Sequence, residues 1–246
     1  MKKNLLLKTV FIFILMTVFF ARTKTWAQSF SLIKLGPAVP LGAFNEGNLD
    51  KTLEYDALNG ASLGFGIGYY HRNQIVNSFG LFYSVDVFYN GLDSQFRDEW
   101  EDFLSSHYEQ WDIRFFHYIN IPVNLGGSYA LELPNGSSFF LEAGLNLHFL
   151  KITGFHVEFA DDGYSQDSDV KFGWSYNIGF VLSGAYQIND RLYVCMDYYP
   201  LGKTNVTEWF KIHAQDERNN REHRINGGQS YRQSVELFRI GLGIKL

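Results

Sequence analysis

The sequence predicts an all-β protein: an eight-stranded antiparallel up-and-down transmembrane β-barrel with short periplasmic turns and long extracellular loops. Three observations carry this. Eight segments alternate large apolar residues with small or polar ones, a period of two that belongs to strands. Their connections alternate between short and long. Aromatic residues gather at both ends of the apolar parity, as they do where strands meet the two membrane–water interfaces.

The alternating segments are Ser29 to Leu41, Ala61 to Tyr70, Phe79 to Asn90, Phe115 to Leu131, Ser138 to Leu150, Trp174 to Ile188, Leu192 to Pro200 and Tyr231 to Leu246. Each is near the roughly 9 to 11 residues that a tilted strand needs to cross a bilayer. Arg72-Asn73, Pro134-Asn135-Gly136 and Asn189-Asp190 mark short turns after the second, fourth and sixth. The other connections run to about 20 residues or more, which is uncommon inside a compact domain and common outside an outer membrane. No later segment is apolar for long enough to span as a helix.

In the second segment Ala61, Leu63, Phe65, Ile67 and Tyr69 alternate with Ser62, Gly64, Gly66 and Gly68; in the sixth, Trp174, Tyr176, Ile178, Phe180 and Leu182 alternate with Ser175, Asn177, Gly179 and Ser183. The small face points into a narrow barrel and the bulky face into lipid. Tyr69, Phe79, Tyr129, Phe139 and Tyr186 are expected at the turn side of the apolar band, and Tyr89, Phe115, Phe149, Trp174 and Tyr198 at the loop side.

The chain opens MKKNLLLKTVFIFILMTVFFARTKTWAQS, with Lys2, Lys3 and Lys8 ahead of the apolar run Val10 to Phe20 and a Thr25-Trp26-Ala27 exit. This is the layout of a secretory signal peptide over residues 1–27, leaving 28–246 as one barrel domain in the bacterial outer membrane. The leader holds five of the 21 basic residues and no acid, so 16 bases face 26 acids in the remainder, a net charge near −10. That balance argues against nucleic acid as a partner. The single cysteine, Cys195, forms no internal disulfide.

Charged residues on the inward parity are Lys34, Asp86, Glu142, Asp197 and Arg239, on five different segments, with His148 beside them. Unpaired buried charge is costly, so these are expected to pair, with Arg239 or Lys34 as the partner of Glu142. An eight-stranded barrel is just wide enough for its side chains to fill, so a polar plug with no open pore is expected.

No catalytic pattern stands out. The histidines at 71, 107, 117, 148, 156, 213 and 223 are dispersed, and HExxH, GxSxG and P-loop spacings are absent. Outward-facing His117 leaves open a lipid-modifying barrel enzyme, and a soluble lipocalin-like binder would need the apolar parity turned inward. The acidic run Asp161 to Asp169 lacks calcium-loop spacing and reads as a solvated loop. KIHAQDERNNREHR offers only a weak zinc cluster in His213, Asp216, Glu217, Glu222 and His223. No cofactor and no metal is expected.

Two loop features add detail. Phe96, Trp100, Phe103, Leu104, Tyr108 and Trp111 recur at helical spacing behind a Ser94 cap, forming an interaction face for the barrel's own rim, a partner or the outer leaflet. Residues 93–114 carry seven acids and two bases, while 203–232 carry six bases and four acids. The two loops are expected to pair, or the basic one to bind lipopolysaccharide.

PLGAF at Pro40 to Phe44, GFGIGYY at Gly64 to Tyr70 and YINIPVNLGGSY at Tyr118 to Tyr129 resemble the PorT-like outer-membrane β-barrel proteins of Bacteroidota, with Tyr118, Ile121 and Pro122 matching a recurrent fourth-strand motif. The resemblance implies an accessory role in a larger outer-membrane secretion or assembly complex. It transfers no catalytic residue.

Overall fold

In the computed structural model, which describes residues 29–46, 60–76, 78–134 and 136–246, eleven strands form one antiparallel sheet. They are β1 (Phe30–Pro40), β2 (Gly64–Val76), β3 (Phe79–Asn90), β4 (Gln110–Arg114), β5 (Tyr118–Glu132), β6 (Ser138–Ile152), β7 (Phe155–Asp161), β8 (Tyr164–Phe172), β9 (Trp174–Gln187), β10 (Leu192–Asp216) and β11 (Arg221–Lys245). A helix, α1 (Ser94–His107), follows β3, and a single 3-10 turn, Gly42–Phe44, follows β1. The leader and its cleavage point at 27 lie outside the described residues.

Eight strands close a ring in the order β11-β1-β2-β3-β5-β6-β9-β10, sealed by the β10–β11 ladder. Following paired residues around it from Gly64 leads through Ala38, Arg239, Asp197, Ser183, Glu142, Ser128 and Gly80, and returns to β2 at Gln74. The circuit thus closes ten residues further along the same strand. A stagger of that size in an eight-stranded ring means strands tilted by roughly 40°, the usual range for a closed barrel.

The two faces separate by parity. On β2, Phe65 and Ile67 point outward with Gly66 and Gly68 buried between them; on β6, Leu141, Leu145 and Leu147 are exposed while Glu142, Asn146 and His148 are buried. The most exposed outward residue, Tyr176, is 75% accessible, and every neighbour of its parity on β9 from Trp174 to Leu182 is also exposed and apolar. An apolar belt on this scale, closed on itself, is unsuited to water. The lipocalin-like alternative fails here, because the apolar parity lies outside and the interior holds charge.

The segment boundaries move in four places. β2 begins at Gly64 and runs to Val76; Ala61 is buried and makes only an isolated bridge to Leu92. β5 begins at Tyr118, so Phe115 precedes it. β10 and β11 continue far past the barrel as a hairpin, where 203–232 reads as a loop by sequence, and the segment Asp161 to Asp169 is part of the β7–β8 hairpin. Its turn places Asp162 and Gly163 at φ of 29° and 82°, the left-handed pair that an Asp-Gly hairpin turn requires.

Above the ring, the sheet continues as β11-β10-β8-β7-β4. From Thr204 to Asp216 the long hairpin reaches about 40 Å along its strand.

Candidate functional site

Six of the eight ring strands each deliver one buried charge, β5 and β9 deliver neutral polar groups, and the ring circuit explains why they meet. Arg239, Asp197, Ser183, Glu142 and Ser128 are successive partners across β11, β10, β9, β6 and β5, so their side chains converge on the axis. Arg239 is the hub. Its Nη1 lies 2.8 Å from Asp86 Oδ1, while Nε and Nη2 donate to Asp197 Oδ2 at 2.8 and 2.6 Å. Asp197 Oδ1 accepts from Lys34 Nζ at 2.9 Å and from Ser183 at 2.6 Å. Asp86 Oδ2 accepts from Ser84, Asn124 and Tyr199 at 3.2, 3.2 and 3.0 Å.

Glu142 takes a different partner from either expected one: the Tyr70 hydroxyl donates to it, and Lys34 lies over the Tyr70 ring at 4.5 Å. The tyrosine therefore touches both groups, the glutamate through its hydroxyl and the lysine through its ring face. His148, six residues beyond Glu142 on β6, exchanges a hydrogen bond with Asn120 at 2.9 Å and joins none of the ion pairs among the described residues. Arg72, a further buried cation, donates to Ser128 at 2.9 Å and to the Ser78 carbonyl at 3.1 Å, and stacks over Phe140. The sequence hides it because Arg72-Asn73 reads as a turn after a segment ending at Tyr70; continuing the even parity two residues further points Arg72 inward. With it, three cations (Lys34, Arg72, Arg239) balance three carboxylates (Asp86, Glu142, Asp197), all buried.

The lumen is filled, but not by polar groups alone. Phe30, Phe82, Phe140 and Tyr193 pack below the charges, with Phe30 and Tyr193 stacked at 5.4 Å. Phe44, Phe116, Tyr118 and Leu201 pack above them, and Phe44 meets Tyr118 edge-on at 5.0 Å. The ion pairs form a layer between two apolar plugs. Burial between these plugs strengthens each pairing and makes each unpaired charge costlier.

Gly68 shows how tightly the layer is built. A Cβ there would sit 1.8 Å from Asp86 Oδ1 and 3.2 Å from Arg239 Nη1, so only glycine leaves room for this ion pair.

On the outside, Phe79, Tyr129, Phe139 and Tyr186 lie near the turns on β3, β5, β6 and β9; Phe79 packs on Tyr129 at 4.8 Å, and Phe139 pairs with Tyr186. Tyr69 does not join them. It pairs with Val85, six residues along β3 from Phe79, and so falls within the apolar band. Tyr89, Phe149, Trp174 and Tyr198 sit on the loop-side halves of β3, β6, β9 and the barrel part of β10, and Phe115 packs outside its strand against Phe155.

The helix is capped by Asp93, whose side chain accepts from Gln95 N, instead of by Ser94. Phe96 and Leu104 are buried, Trp100 packs on Phe155, and Tyr108 stacks on Phe159 at 4.0 Å. Most of the apolar face is thus spent on the protein's own upper sheet; Phe103 and Trp111 remain exposed, the latter on β4. The expected pairing of the acidic and basic loops is absent among the described residues. Instead Arg218 pairs with Asp162, joining the tips of the two hairpins, and β8 and β7 stand between β10 and β4. At the hairpin tip, hydrogen bonds from Arg224 and His213 hold the Glu222 carboxyl below the usual carboxylate range.

Closed antiparallel pairing leaves no free sheet edge in the ring, the outer face is apolar, and the inner face is packed with compensated charge. This architecture defines an integral β-barrel protein of the outer-membrane type. Among solved structures the chain is similar to the outer membrane protein OprG of Pseudomonas aeruginosa (12% identity, 89% of this chain and 97% of that one, TM-score 0.43). It is also similar to the attachment invasion locus protein Ail of Yersinia pestis (14%, 89% and 99%, 0.40) and to Neisserial surface protein A (12%, 90% and 99%, 0.39). No protein-family model matches the chain, and no curated protein matches it by sequence.

Proposed function

We propose that this protein resides in the outer membrane and acts as a structural and interaction protein, holding a rigid extracellular platform above a sealed barrel. The observation that supports this reading most directly is the combination of a plugged lumen with a hairpin running about 40 Å beyond it, braced by β8, β7, β4 and α1. A filled interior gives no path for solutes, whereas an extended, braced sheet gives a surface for a partner. The resemblance to PorT-like barrels in PLGAF, GFGIGYY and the Tyr118–Pro122 motif favours an accessory subunit of a secretion or assembly complex, and the lipid face leaves lipopolysaccharide as the surrounding partner.

The lipid-modifying reading has little to stand on. His117 makes its backbone bond to Thr153 and lays its ring beside Tyr89 at 5.4 Å, and among the described residues no serine or carboxylate side chain bonds it. Affinity purification of the tagged protein from outer membranes tests the proposal. A stoichiometric large barrel among the recovered proteins supports the accessory role; recovery of this chain alone, under mild detergent and without crosslinked partners, refutes it.

A further inference from the structure

Away from the lumen, the upper sheet brings together three side chains that no sequence motif links. His156 on β7 faces Asp169 across the β7–β8 ladder, and Asp167 lies two residues further along the same face of β8. His156 Nδ1 is 3.0 Å from Asp169 Oδ1 and 3.6 Å from Asp167 Oδ1, and the three donor atoms all lie within 4.8 Å of one another. Ligands held at 2.0–2.1 Å around a tetrahedral ion are about 3.3 Å apart, so two of the three edges already have coordination spacing.

His156 Nδ1 and Asp169 Oδ1 share a hydrogen bond, but among the described residues the cluster carries no strand cation to offset its two carboxylates. Two carboxylates converge on one imidazole nitrogen, yet among the described residues neither forms an ion pair with a lysine or arginine. Arg114 and Lys211 are the register partners of His156 and Asp169 on the flanking strands, and neither pairs with them within 4 Å. The His156 side chain is only 16% exposed while both aspartates are half exposed, so the donors form a shallow cup on a braced hairpin.

We propose that His156, Asp167 and Asp169 form a binding site for a borderline divalent transition-metal ion, with Zn²⁺ as the best fit. One imidazole and two carboxylates suit Zn²⁺ and its neighbours. Ca²⁺ is a poor match, since it takes six to eight oxygen ligands. Three protein donors leave a position for water or for a donor from another molecule.

The test is isothermal titration of ZnCl₂ into the tag-free, refolded full barrel in detergent. Saturable 1:1 binding is expected, weakened at least about tenfold by His156→Ala and by Asp169→Asn, with His213→Ala binding like the wild type. Heat-modifiable migration confirms that each variant keeps its barrel. Absence of saturable binding overturns the site. So does undiminished binding in His156→Ala, or loss in His213→Ala alone, which would place the ion at the His213–Glu222 pair.

Discussion

Replacing Arg239 with methionine should destabilise the barrel by about 3–5 kcal/mol, the usual cost of breaking a buried charge pair from one side. The structure separates that cost from packing. Methionine keeps an unbranched aliphatic stem of similar length, so the change falls mainly on the guanidinium, whose Cζ lies 5.2 Å over the Phe88 ring. What disappears is the hub: two charge-assisted hydrogen bonds to Asp197 and the ion pair with Asp86. Asp197 retains Lys34 and Ser183, but Asp86 is left with neutral donors only. The loss corresponds to roughly two to three and a half decades in the unfolding equilibrium. Urea unfolding in lipid vesicles, followed by tryptophan fluorescence, measures it. Adding Asp86→Asn to Arg239→Met removes the stranded charge while the amide oxygen keeps accepting from Ser84, Asn124 and Tyr199. The double variant should therefore be more stable than Arg239→Met alone. A single variant within about 1 kcal/mol of wild type, or a double variant that is worse by the full cost of Asp86→Asn, would refute the idea that the layer is a dry, mutually dependent network.

Other expectations are more local. Gly68→Ala should cost about 1–3 kcal/mol, because the new methyl group overlaps Asp86 and crowds Arg239; the same unfolding curves report it. Leu145→Arg, on the outward face between Phe139 and Phe149, should cost about 2–4 kcal/mol of insertion stability, seen as reduced folding into vesicles, whereas the charge would be harmless if this face met water. The wild-type protein should give no steady ionic conductance in a planar bilayer, since aromatic plugs close both sides of the ion-pair layer. At the hairpin tip, a carboxyl held low in the folded state contributes order that is present at neutral pH and is lost as pH falls through its depressed titration range. Protease cleavage near Glu222 should therefore rise on acidification, and Glu222→Gln should show the acid-like cleavage already at neutral pH.

Much of the barrel was legible because a strand's period of two needs no distant information. Leu141, Leu145 and Leu147 alternate with Glu142, Asn146 and His148 whichever strands lie beside them. What alternation could not supply was where a strand stops. β10 and β11 pass from lipid into water without losing their ladder, so their apolar signal ends near Pro200 while the pairing runs to Asp216. Asp162-Gly163 is a hairpin-turn pair and Phe155, Val157 and Phe159 alternate ahead of it, but β8 is polar on both parities from Ser165 to Asp169, so the acidic run reads as a solvated loop.

Taken alone, then, the sequence determined which parity meets lipid, that eight segments close the ring, and five of the six inward charges, because these follow from local geometry and the cost of polar groups in hydrocarbon. Only the tertiary structure decided partners. The ten-residue stagger of the ring sets which inward residues share a level, placing Arg239 between Asp86 and Asp197, and Tyr70 in contact with both Glu142 and Lys34. The same long-range pairing brought His156 to Asp167 and Asp169, residues that lie eleven and thirteen positions away along the chain and face one another only across a hairpin.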